Sequence, residues 1–350
     1  MNHGRAYVGI SGWRYPPWRG VFYPSGLKQA AELEYASRQF ASIELNGSFY
    51  SLMRPETYQA WYQQTPPDFV FGIKGSRYIT HLKRLNGVEV ALANFFASGL
   101  LSLREKLGPL LWQLPPQFSF DPERLSAFFR SLPRSTSEAA ALAQRHDQRV
   151  AGRSETRALV EMPLRHALEV RHPSYLQPAF IELARRWQIA VCVADSAGLF
   201  PCIYDVTADF MYVRLHGATE LYTSGYGPRA LERWARAVSV WQQGENLARA
   251  QLICAETTPA QPRDVFVYFD NDVKVRAPFD ALNLRRVLDG KRVNRLPPAL
   301  RTVTEMPLTD WDDRWRATHP PGTKPAARRL LEPSAPSLSP KKAARATFKE

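Results

Sequence analysis

The feature that most constrains the fold is a nine-residue run from Asp209 to Gly217, Asp-Phe-Met-Tyr-Val-Arg-Leu-His-Gly. Its aromatic and β-branched residues alternate with a second set and a glycine ends the run, which predicts a β-strand. One set of alternate positions is wholly apolar, whereas the other becomes polar toward the C-terminal end, at Arg214 and His216. Such a strand suits a parallel barrel, in which outer faces pack on helices and inner C-terminal ends form the mouth.

Seven other short apolar segments share this pattern and alternate with helix-like stretches. The eight predicted strands are Tyr7–Ser11, Ser42–Leu45, Phe69–Lys74, Leu110–Leu114, Ala167–Arg171, Ile189–Ala194, Phe210–His216 and Val265–Asp270. Amphipathic spacing predicts helices between them, among them Pro55–Gln64, Ala91–Leu107 and Pro228–Gln242. Eight strand–helix repeats favour a closed barrel over an open sheet, so we predict an α/β protein with a single (β/α)8 barrel.

The length of 350 residues fits one barrel domain, predicted at residues 1–290, with C-terminal appendages. Residues 291–317 are interpreted as an extension in which Trp311 and Trp315 are candidates for docking on the barrel. Residues 318–350 are rich in Pro, Ser, Ala and Lys with few large apolar groups, which predicts a disordered basic tail.

The chain is basic, with a formal net charge of +13 and a pI near 9.8. Residues 317–350 hold seven basic and two acidic residues, a net charge of +5. A basic balance favours anionic partners. The three cysteines show no C-x-x-C spacing, which indicates a reducing compartment and no disulfide framework. Since neither a signal-like N-terminus nor an 18-residue apolar run is present, we expect a cytoplasmic protein without membrane association.

Every predicted strand brings a polar side chain to its C-terminal end. In a barrel these ends meet at one face, so the polar groups should converge on one pocket. Asp195 is assigned to the pocket by position only, because both parities of its strand are apolar. The pocket residues predicted in this way are Glu44, Asn46, Lys74, Gln113, Glu169, Arg171, Asp195, Arg214, His216 and Asp270.

His216 is the first candidate for general acid/base chemistry, because its strand ends at the pocket beside Arg214. Glu169 is interpreted as a matching base or an orienting partner, and Asp195 and Asp270 complete the candidate catalytic set. Two plainer interpretations stay open. His216 could simply cap the end of its strand, and Glu169 could form a structural ion pair with an arginine.

Loops after the strands supply further ligand-binding candidates. The loop Glu220–Gly227 offers hydroxyls and two glycines at a place where many barrels bind phosphate. The candidates from loops are Arg77, Tyr78 and His81 after the third strand, His172 after the fifth, Tyr222 after the seventh and Asn271 after the eighth. With Glu44, Asn46, Lys74, Gln113, Arg171 and Arg214 they form the predicted ligand-binding set.

A metal site is an alternative interpretation of the same pocket. Divalent-metal barrels use residue types such as those at Glu44, Glu169, Asp195, His216 and Asp270. The cations Lys74, Arg171 and Arg214 would compete for the carboxylates, and no H-x-H or H-E-x-x-H pair occurs. We therefore expect neither a metal nor a cofactor.

Several runs of residues resemble motifs of the domain-of-unknown-function 72 family, also known as YecE-like. The runs are Gly9–Trp13, Ile43–Tyr50, Ser76–His81, Ala167–His172, Ala194–Ser196, Tyr212–Gly217 and Tyr268–Asp272. The resemblance extends in order over residues 6–290 and implies a TIM-type (β/α)8 barrel. It implies no substrate, because the activity of the family is not established. Such barrels are similar to metal-dependent sugar-isomerase and endonuclease barrels, an analogy of fold alone.

We therefore expect a TIM-type barrel that binds a small anionic, phosphate-bearing ligand at its mouth as an enzyme using acid/base chemistry. One alternative is a nucleic-acid-binding or processing protein, favoured by the pI, the loop aromatics and a tail that would bind nucleic acid weakly. Others are a metal-dependent hydrolase or isomerase and a barrel that binds without catalysis.

Overall fold

Nine parallel strands form one sheet in the computed structural model, which describes residues 3–254, 258–298 and Leu300. The strands are β1 (Ala6–Ser11), β2 (Ser42–Leu45), β3 (Val70–Lys74), β4 (Leu107–Gln113), β5 (His166–Glu169), β6 (Ile189–Val191), β7 (Val193–Asp195), β8 (Phe210–Leu215) and β9 (Asp264–Phe269). Their order in the sheet is β6-β5-β4-β3-β2-β1-β9-β8-β7.

The two edge strands, β6 and β7, are consecutive halves of one segment interrupted at Cys192. The amide of Cys192 still donates to the carbonyl of Leu168 at 2.9 Å, so the ladder with β5 continues across the interruption. Because one segment pairs with β5 at its start and with β8 at its end, the sheet closes on itself. The predicted (β/α)8 barrel of the α/β class is confirmed, with the sixth predicted strand split in two.

Helices connect the strands and bury an apolar side. They are α1 (Glu32–Gln39), α2 (Gly47–Tyr50), α3 (Pro55–Gln64), α4 (Glu89–Ala97), α5 (Pro122–Ser131), α6 (Thr136–Ala143), α7 (Pro178–Arg186), α8 (Pro228–Gln242) and α9 (Arg276–Leu288). The predicted bounds of α3 and α8 are confirmed. Both helices begin at a proline, whose fixed φ and missing N–H suit the first helical turn.

The prediction of one helix over Ala91–Leu107 is wrong. α4 ends at Ala97, and Leu100–Lys106 form a separate 3-10 segment before β4. Gly99 between them has a φ of +109°, and a Cβ there would stand 2.4 Å from Pro55 Cα. A residue with a side chain would be strained and would clash at this position, so the glycine permits the break.

The barrel interior is apolar at the N-terminal level of the strands and polar at the C-terminal level. The apolar level is formed by Tyr7, Val70, Leu111, Ala167, Ala190, Cys192, Ala194, Phe210, Tyr212, Phe266 and Tyr268. Apart from Ala190, Cys192 and Ala194, for whose strand no inward face was predicted, these residues share the strand parities that were predicted to face inward. This packed apolar level fills the N-terminal part of the barrel, so the polar side chains of the interior lie on its C-terminal side.

No helix in the described part of the chain is long and apolar enough to cross a bilayer. The predicted docking of Trp311 and Trp315 and the predicted disorder of residues 318–350 concern residues outside the described part. Within the predicted extension, Leu300 is fully buried.

Candidate functional site

The C-terminal mouth is built around the fully buried guanidinium of Arg214 on β8. Its Nε and Nη2 atoms donate to Glu44 Oε2 and Oε1 at 3.1 and 2.9 Å. Nη1 donates to Glu169 Oε2 at 2.8 Å, and Nη2 also donates to Asp270 Oδ2 at 2.8 Å. Carboxylates from β2, β5 and the end of β9 thus converge on one cation. We call these four residues the Arg214 hub.

Further donors complete the coordination of Glu44. The Tyr212 hydroxyl donates to Glu44 Oε2 at 2.6 Å, and the Ser11 hydroxyl donates to Oε1. Asn46 Nδ2 in turn donates to Ser11 Oγ at 2.9 Å. Since Glu44 is fully buried, these bonds replace the water that an exposed carboxylate would hold.

Glu169 is held in the same way from its other side. Arg171 Nε donates to Glu169 Oε1 at 2.8 Å and Gln113 Nε2 donates to it at 3.2 Å. Burial opposes ionisation of Glu169, but Arg171 and Arg214 hold its pKa well below the usual value. The hub is therefore a network of fixed charges.

His216 lies at the edge of this network, and within the described ranges only one of its two ring nitrogens has a hydrogen-bond partner. Its Nδ1 is 3.0 Å from Asp270 Oδ2. Burial opposes ionisation of Asp270 too, yet Arg214 and His216 hold its pKa below the usual range. Burial and the neighbouring Arg214 lower the pKa of His216, so the imidazole is neutral at pH 7. A neutral ring that donates through Nδ1 to a carboxylate keeps a lone pair on Nε2.

The Nε2 atom of His216 is buried and has no hydrogen-bond partner among the described residues. The oxygen of Glu169 nearest to it is 3.9 Å away. The ring of Tyr222 stands edge-on to the imidazole, with centroids 5.4 Å apart, and the Tyr222 hydroxyl lies 3.4 Å from Arg171 Nη2. Nε2 of His216 can therefore accept a proton from a ligand that binds next to the Tyr222 ring.

Lys74 and His81 form another side of the mouth. Lys74 Nζ lies 4.4 Å from the centroid of the Phe49 ring, and none of the described carboxylates is within 4.0 Å of it. Burial and the charge of Arg214 lower the pKa of Lys74 to about 8. His81 packs edge-on against Phe49 at 5.2 Å. Burial, with Lys74 and Arg171 nearby, lowers its pKa to about 4.

Two polar residues of the mouth were missed by the sequence reasoning. Burial and the neighbouring Asp270 raise the pKa of Asp272 to about 8, so this carboxyl is largely protonated at pH 7. Asp272 lies two residues after Asp270, and a continued alternation would have pointed to it. The Tyr15 hydroxyl donates to the carbonyl of Ser11. Tyr15 belongs to a loop without periodicity, so no pattern identified it.

Three predicted site residues lie apart from the hub. The even-numbered residues of β6 and β7 face the interior, so Asp195 faces outward, on the side of Tyr226 and Trp234. His172 Nδ1 lies 2.8 Å from Ser174 Oγ and caps the 3-10 turn Pro173–Tyr175. Asn271 Nδ2 donates to Asp280 Oδ2 and to the carbonyl of Ser224, which fixes the loop before α8.

Arg77 and Tyr78 lie on the rim after β3 and are exposed. The Tyr78 ring is approached by the Arg149 guanidinium at 5.9 Å. The structure therefore brings together Glu44, Asn46, Lys74, His81, Gln113, Glu169, Arg171, Arg214, His216, Tyr222 and Asp270, and places Arg77 and Tyr78 above them.

The fit of this mouth to a metal ion follows from its donor atoms. Four of the five candidate ligands, Glu44, Glu169, His216 and Asp270, do meet. However, the Arg214 guanidinium occupies the position between the three carboxylates that a cation would take. No group of three or more His, Cys, Asp or Glu within the described ranges is arranged to hold a metal.

The fold and its charged face define a (β/α)8-barrel protein with a buried network of polar side chains at the C-terminal ends of its strands. Residues 7–303 match the model of the family described as "Protein of unknown function DUF72". The chain belongs to this family, as its motifs had indicated.

Curated relatives carry UPF0759 names. UPF0759 protein YecE of Escherichia coli K12 is 32% identical over 130 residues, which cover 36% of this chain and 44% of YecE. The match thus spans less than half the length of YecE. UPF0759 protein YunF of Bacillus subtilis 168 is 23% identical over 301 residues, covering 76% of this chain and 88% of YunF.

Solved structures support the fold alone. A DUF72 family protein from Thermotoga maritima aligns with a TM-score of 0.62 at 24% identity, covering 81% of this chain and 99% of its own. A DUF72 family protein from Enterococcus faecalis aligns with a TM-score of 0.57 at 17% identity, covering 84% and 98%.

Proposed function

We propose that the protein is an enzyme that binds a small anionic ligand in the mouth and uses His216 as its general acid/base. The observation that carries this proposal is the orphaned Nε2 of His216, buried beside a network in which both carboxylate oxygens of Glu44 and of Glu169 are bound. A buried acceptor without a donor costs free energy, so its presence in the mouth is best explained by a ligand that supplies the donor. Asp270 holds the ring and fixes its tautomer.

The charge of the mouth supports an anionic ligand. Arg214 and Arg171 neutralise much of the negative charge of the three hub carboxylates through ion pairs. Lys74 remains as a buried cation with no ion pair in the described part of the chain, and Arg77 adds a further positive charge at the rim. An anion that enters the mouth on the β3 side would therefore lie close to these two cations.

Exchange of carbon-bound protons for deuterons tests the proposal without knowledge of the substrate. The protein is incubated in D₂O with a panel of small hydroxy acids, oxo acids and sugar phosphates, and loss of C–H signals is followed by NMR. We expect exchange in at least one anionic compound, slowed by about 10²-fold or more in His216→Gln because the base is gone. His172→Gln, which alters only a turn cap, is the matched control and should exchange normally. Undiminished exchange in His216→Gln would contradict the proposed role.

One observation favours binding of single-stranded nucleic acid as a second function. Tyr50 and Tyr78 follow β2 and β3 and are 48% and 38% exposed. Exposed aromatic rings beside basic side chains can stack on bases. Removal of residues 317–350 would separate this function from binding by the tail.

A further inference from the structure

Two lysines of the described chain are buried, and their surroundings differ. Lys106 Nζ donates to the carbonyls of Tyr62 and Thr65 at 2.6 and 2.8 Å and to Thr65 Oγ1 at 3.1 Å. Lys74 Nζ has no such bond among the described residues and faces the ring of Phe49. The buried position of Lys106 is thus explained by its hydrogen bonds, whereas the Lys74 amine is desolvated and has no hydrogen-bond or ion-pair partner among the residues that the structure describes.

We propose that Lys74 is a nucleophile that forms an imine with a small anionic carbonyl compound, a 2-oxo acid or a ketose phosphate. This inference rests on the proposed function and deepens it, because it names the substrate class and the atom that reacts. The position at the C-terminal end of β3 directs the amine into the mouth, where the hub and His216 also lie.

The state of the amine suits this chemistry. An ammonium ion cannot attack a carbonyl, so a lysine must lose its proton first. Burial and the nearby Arg214 bring the pKa of Lys74 to about 8, which leaves part of the amine neutral at pH 7. Desolvation and a neighbouring cation are the two means by which lysine nucleophiles are activated.

The step balances without any further reactant. The Nζ lone pair forms a C–N bond to the carbonyl carbon, and the carbonyl oxygen takes up a proton to give a carbinolamine. The two amine protons and the former carbonyl oxygen then leave as one water molecule, and a C=N bond remains. A proton acceptor and a proton donor are needed, and the mouth offers the neutral His216 and the protonated carboxyl of Asp272.

The cations around Lys74 give the preference for an anionic carbonyl compound. Besides burial, the charges of Lys74, Arg171 and Arg77 lower the pKa of His81, so all three cations act on this side of the mouth. A carboxylate or phosphate next to the reacting carbonyl would be attracted to them.

Reductive trapping tests the proposal on the full chain. The protein is incubated at pH 8 with sodium cyanoborohydride and either pyruvate or dihydroxyacetone phosphate, and adducts are located by peptide mass spectrometry. We expect an adduct at Lys74 at least ten times more abundant than at the exposed Lys83. Trapping at Lys74 should rise with pH through about 8. Lys106 serves as an internal control and should stay unmodified, because its amine donates to carbonyls.

Two variants and a second label keep the result unambiguous. Lys74→Arg should lose the adduct, and Lys83→Arg should keep it. Trace labelling with acetic anhydride should modify Lys74 faster than Lys83 at pH 7, whether or not either carbonyl probe is the right size. An adduct with pyruvate alone indicates a 2-oxo acid, and one with dihydroxyacetone phosphate alone indicates a ketose phosphate.

The proposal is overturned if Lys74 acquires no more adduct than Lys83 with either probe, or if acetic anhydride labels it no faster. That failure is distinguishable from failure of the proposed function. Proton exchange that depends on His216 would survive the loss of the imine, whereas trapping at Lys74 would survive the loss of a role for His216.

Discussion

Two buried histidines, His216 and His166, show how hydrogen bonds alone can fix opposite tautomers in one barrel. Trp112 Nε1 donates to His166 Nδ1 at 3.2 Å, and His166 Nε2 lies 2.7 Å from the carbonyl of Pro133. His166 must therefore carry its proton on Nε2. His216 carries its proton on Nδ1, because the acceptor there is the ionised Asp270.

Nitrogen-15 NMR of the imidazoles tests this assignment. At pH 6.5 we expect both rings to be neutral, with the proton on Nε2 of His166 and on Nδ1 of His216. Burial lowers the pKa of His166 to about 4, so it should titrate far below the usual 6.5. The unfolded chain takes up these protons earlier, so both rings should lower stability as pH falls below about 6.5. A His216 ring protonated at both nitrogens at pH 6.5 would contradict the assignment.

The two buried lysines should respond oppositely to the same substitution. In Lys74→Met the apolar stem is kept and a desolvated charge is removed. A pKa lowered from 10.5 to about 8 corresponds to ~3 kcal/mol, so we expect a gain in unfolding free energy of about 1–3 kcal/mol at pH 7. Lys106→Met leaves buried acceptors unsatisfied and should cost about 1–3 kcal/mol. Urea denaturation of both variants measures the difference, and a loss of stability in Lys74→Met would count against an unpaired charge.

Strand parity predicted the hub because an alternation of apolar and polar residues determines which side chains face inward. Glu44, Glu169 and Arg214 were all found in this way. Parity could not place Asp195, because its strand is apolar on both faces. It also could not show that Lys74 has no hydrogen-bond or ion-pair partner among the described residues. Pairing depends on which strands are neighbours and on rotamers, neither of which is written in the local sequence.

At the scale of elements, the loop Glu220–Gly227 is held over the mouth by hydrogen bonds to Asp280 on α9. We call Asp280, with Asn271 and Arg276 that bind it, the clamp. Asp280 accepts bonds from the amide of Tyr226 at 3.0 Å, from Asn271 Nδ2 at 2.8 Å and from Arg276 Nη2 at 3.2 Å. Burial raises the pKa of Asp280 to about 6. The clamp positions Tyr222, whose φ of 61° lies in the left-handed region.

Alanine substitutions at two glycines near the mouth test whether the loop depends on the clamp itself or responds to any added side chain. A Cβ at Gly225 would stand 2.0 Å from the Arg276 guanidinium, whereas a Cβ at Gly47 would meet nothing nearer than Met53 Sδ at 3.6 Å. We expect Gly225→Ala to displace Arg276, to cost about 1–3 kcal/mol in urea denaturation and to expose Tyr222 to chymotrypsin. Gly47→Ala is the control and should change neither. Equal cleavage of the two variants would show that the loop does not depend on the clamp.

Element boundaries were predictable where a local signal marks them. A proline marks the first residue of α3 and of α8, so the start of each helix could be predicted from the sequence. The break after α4 depends on a close approach to Pro55, about forty residues earlier, and the split at Cys192 occurs within an unbroken apolar run. Such features arise from tertiary contacts, which periodicity does not contain.

At the scale of the whole molecule, the count of eight strand–helix repeats sufficed to predict a closed barrel. The positive charge is less well located by sequence, because residues 317–350 carry a net +5 of the total +13. Nucleic-acid binding could therefore belong to the tail or to the barrel.

Removal of residues 317–350 separates these two possibilities. We expect the full chain to bind short single-stranded DNA weakly and with a steep dependence on salt, since such binding rests on counterion release. If the five net charges of the tail each neutralise one phosphate, log affinity plotted against log salt concentration should have a slope of about −3.5 or shallower. The 1–316 chain should lose most of this binding. Retained affinity at physiological salt that is lost in Tyr78→Ala or Arg77→Ala would instead support the rim as a nucleic-acid site.

The Arg214 hub also limits how sequences of this kind can diverge. Each hub carboxylate forms an ion pair with Arg214, and Arg214 tolerates burial only while the carboxylates remain. Their substitutions must therefore be strongly epistatic, since the loss of any one member leaves the others harmful. Exposed rim residues such as Tyr50 and Tyr78 carry no such constraint and can change one at a time. Substitutions that adapt the protein to new ligands should thus accumulate in the loops. The four residues of the Arg214 hub should be substituted together or not at all.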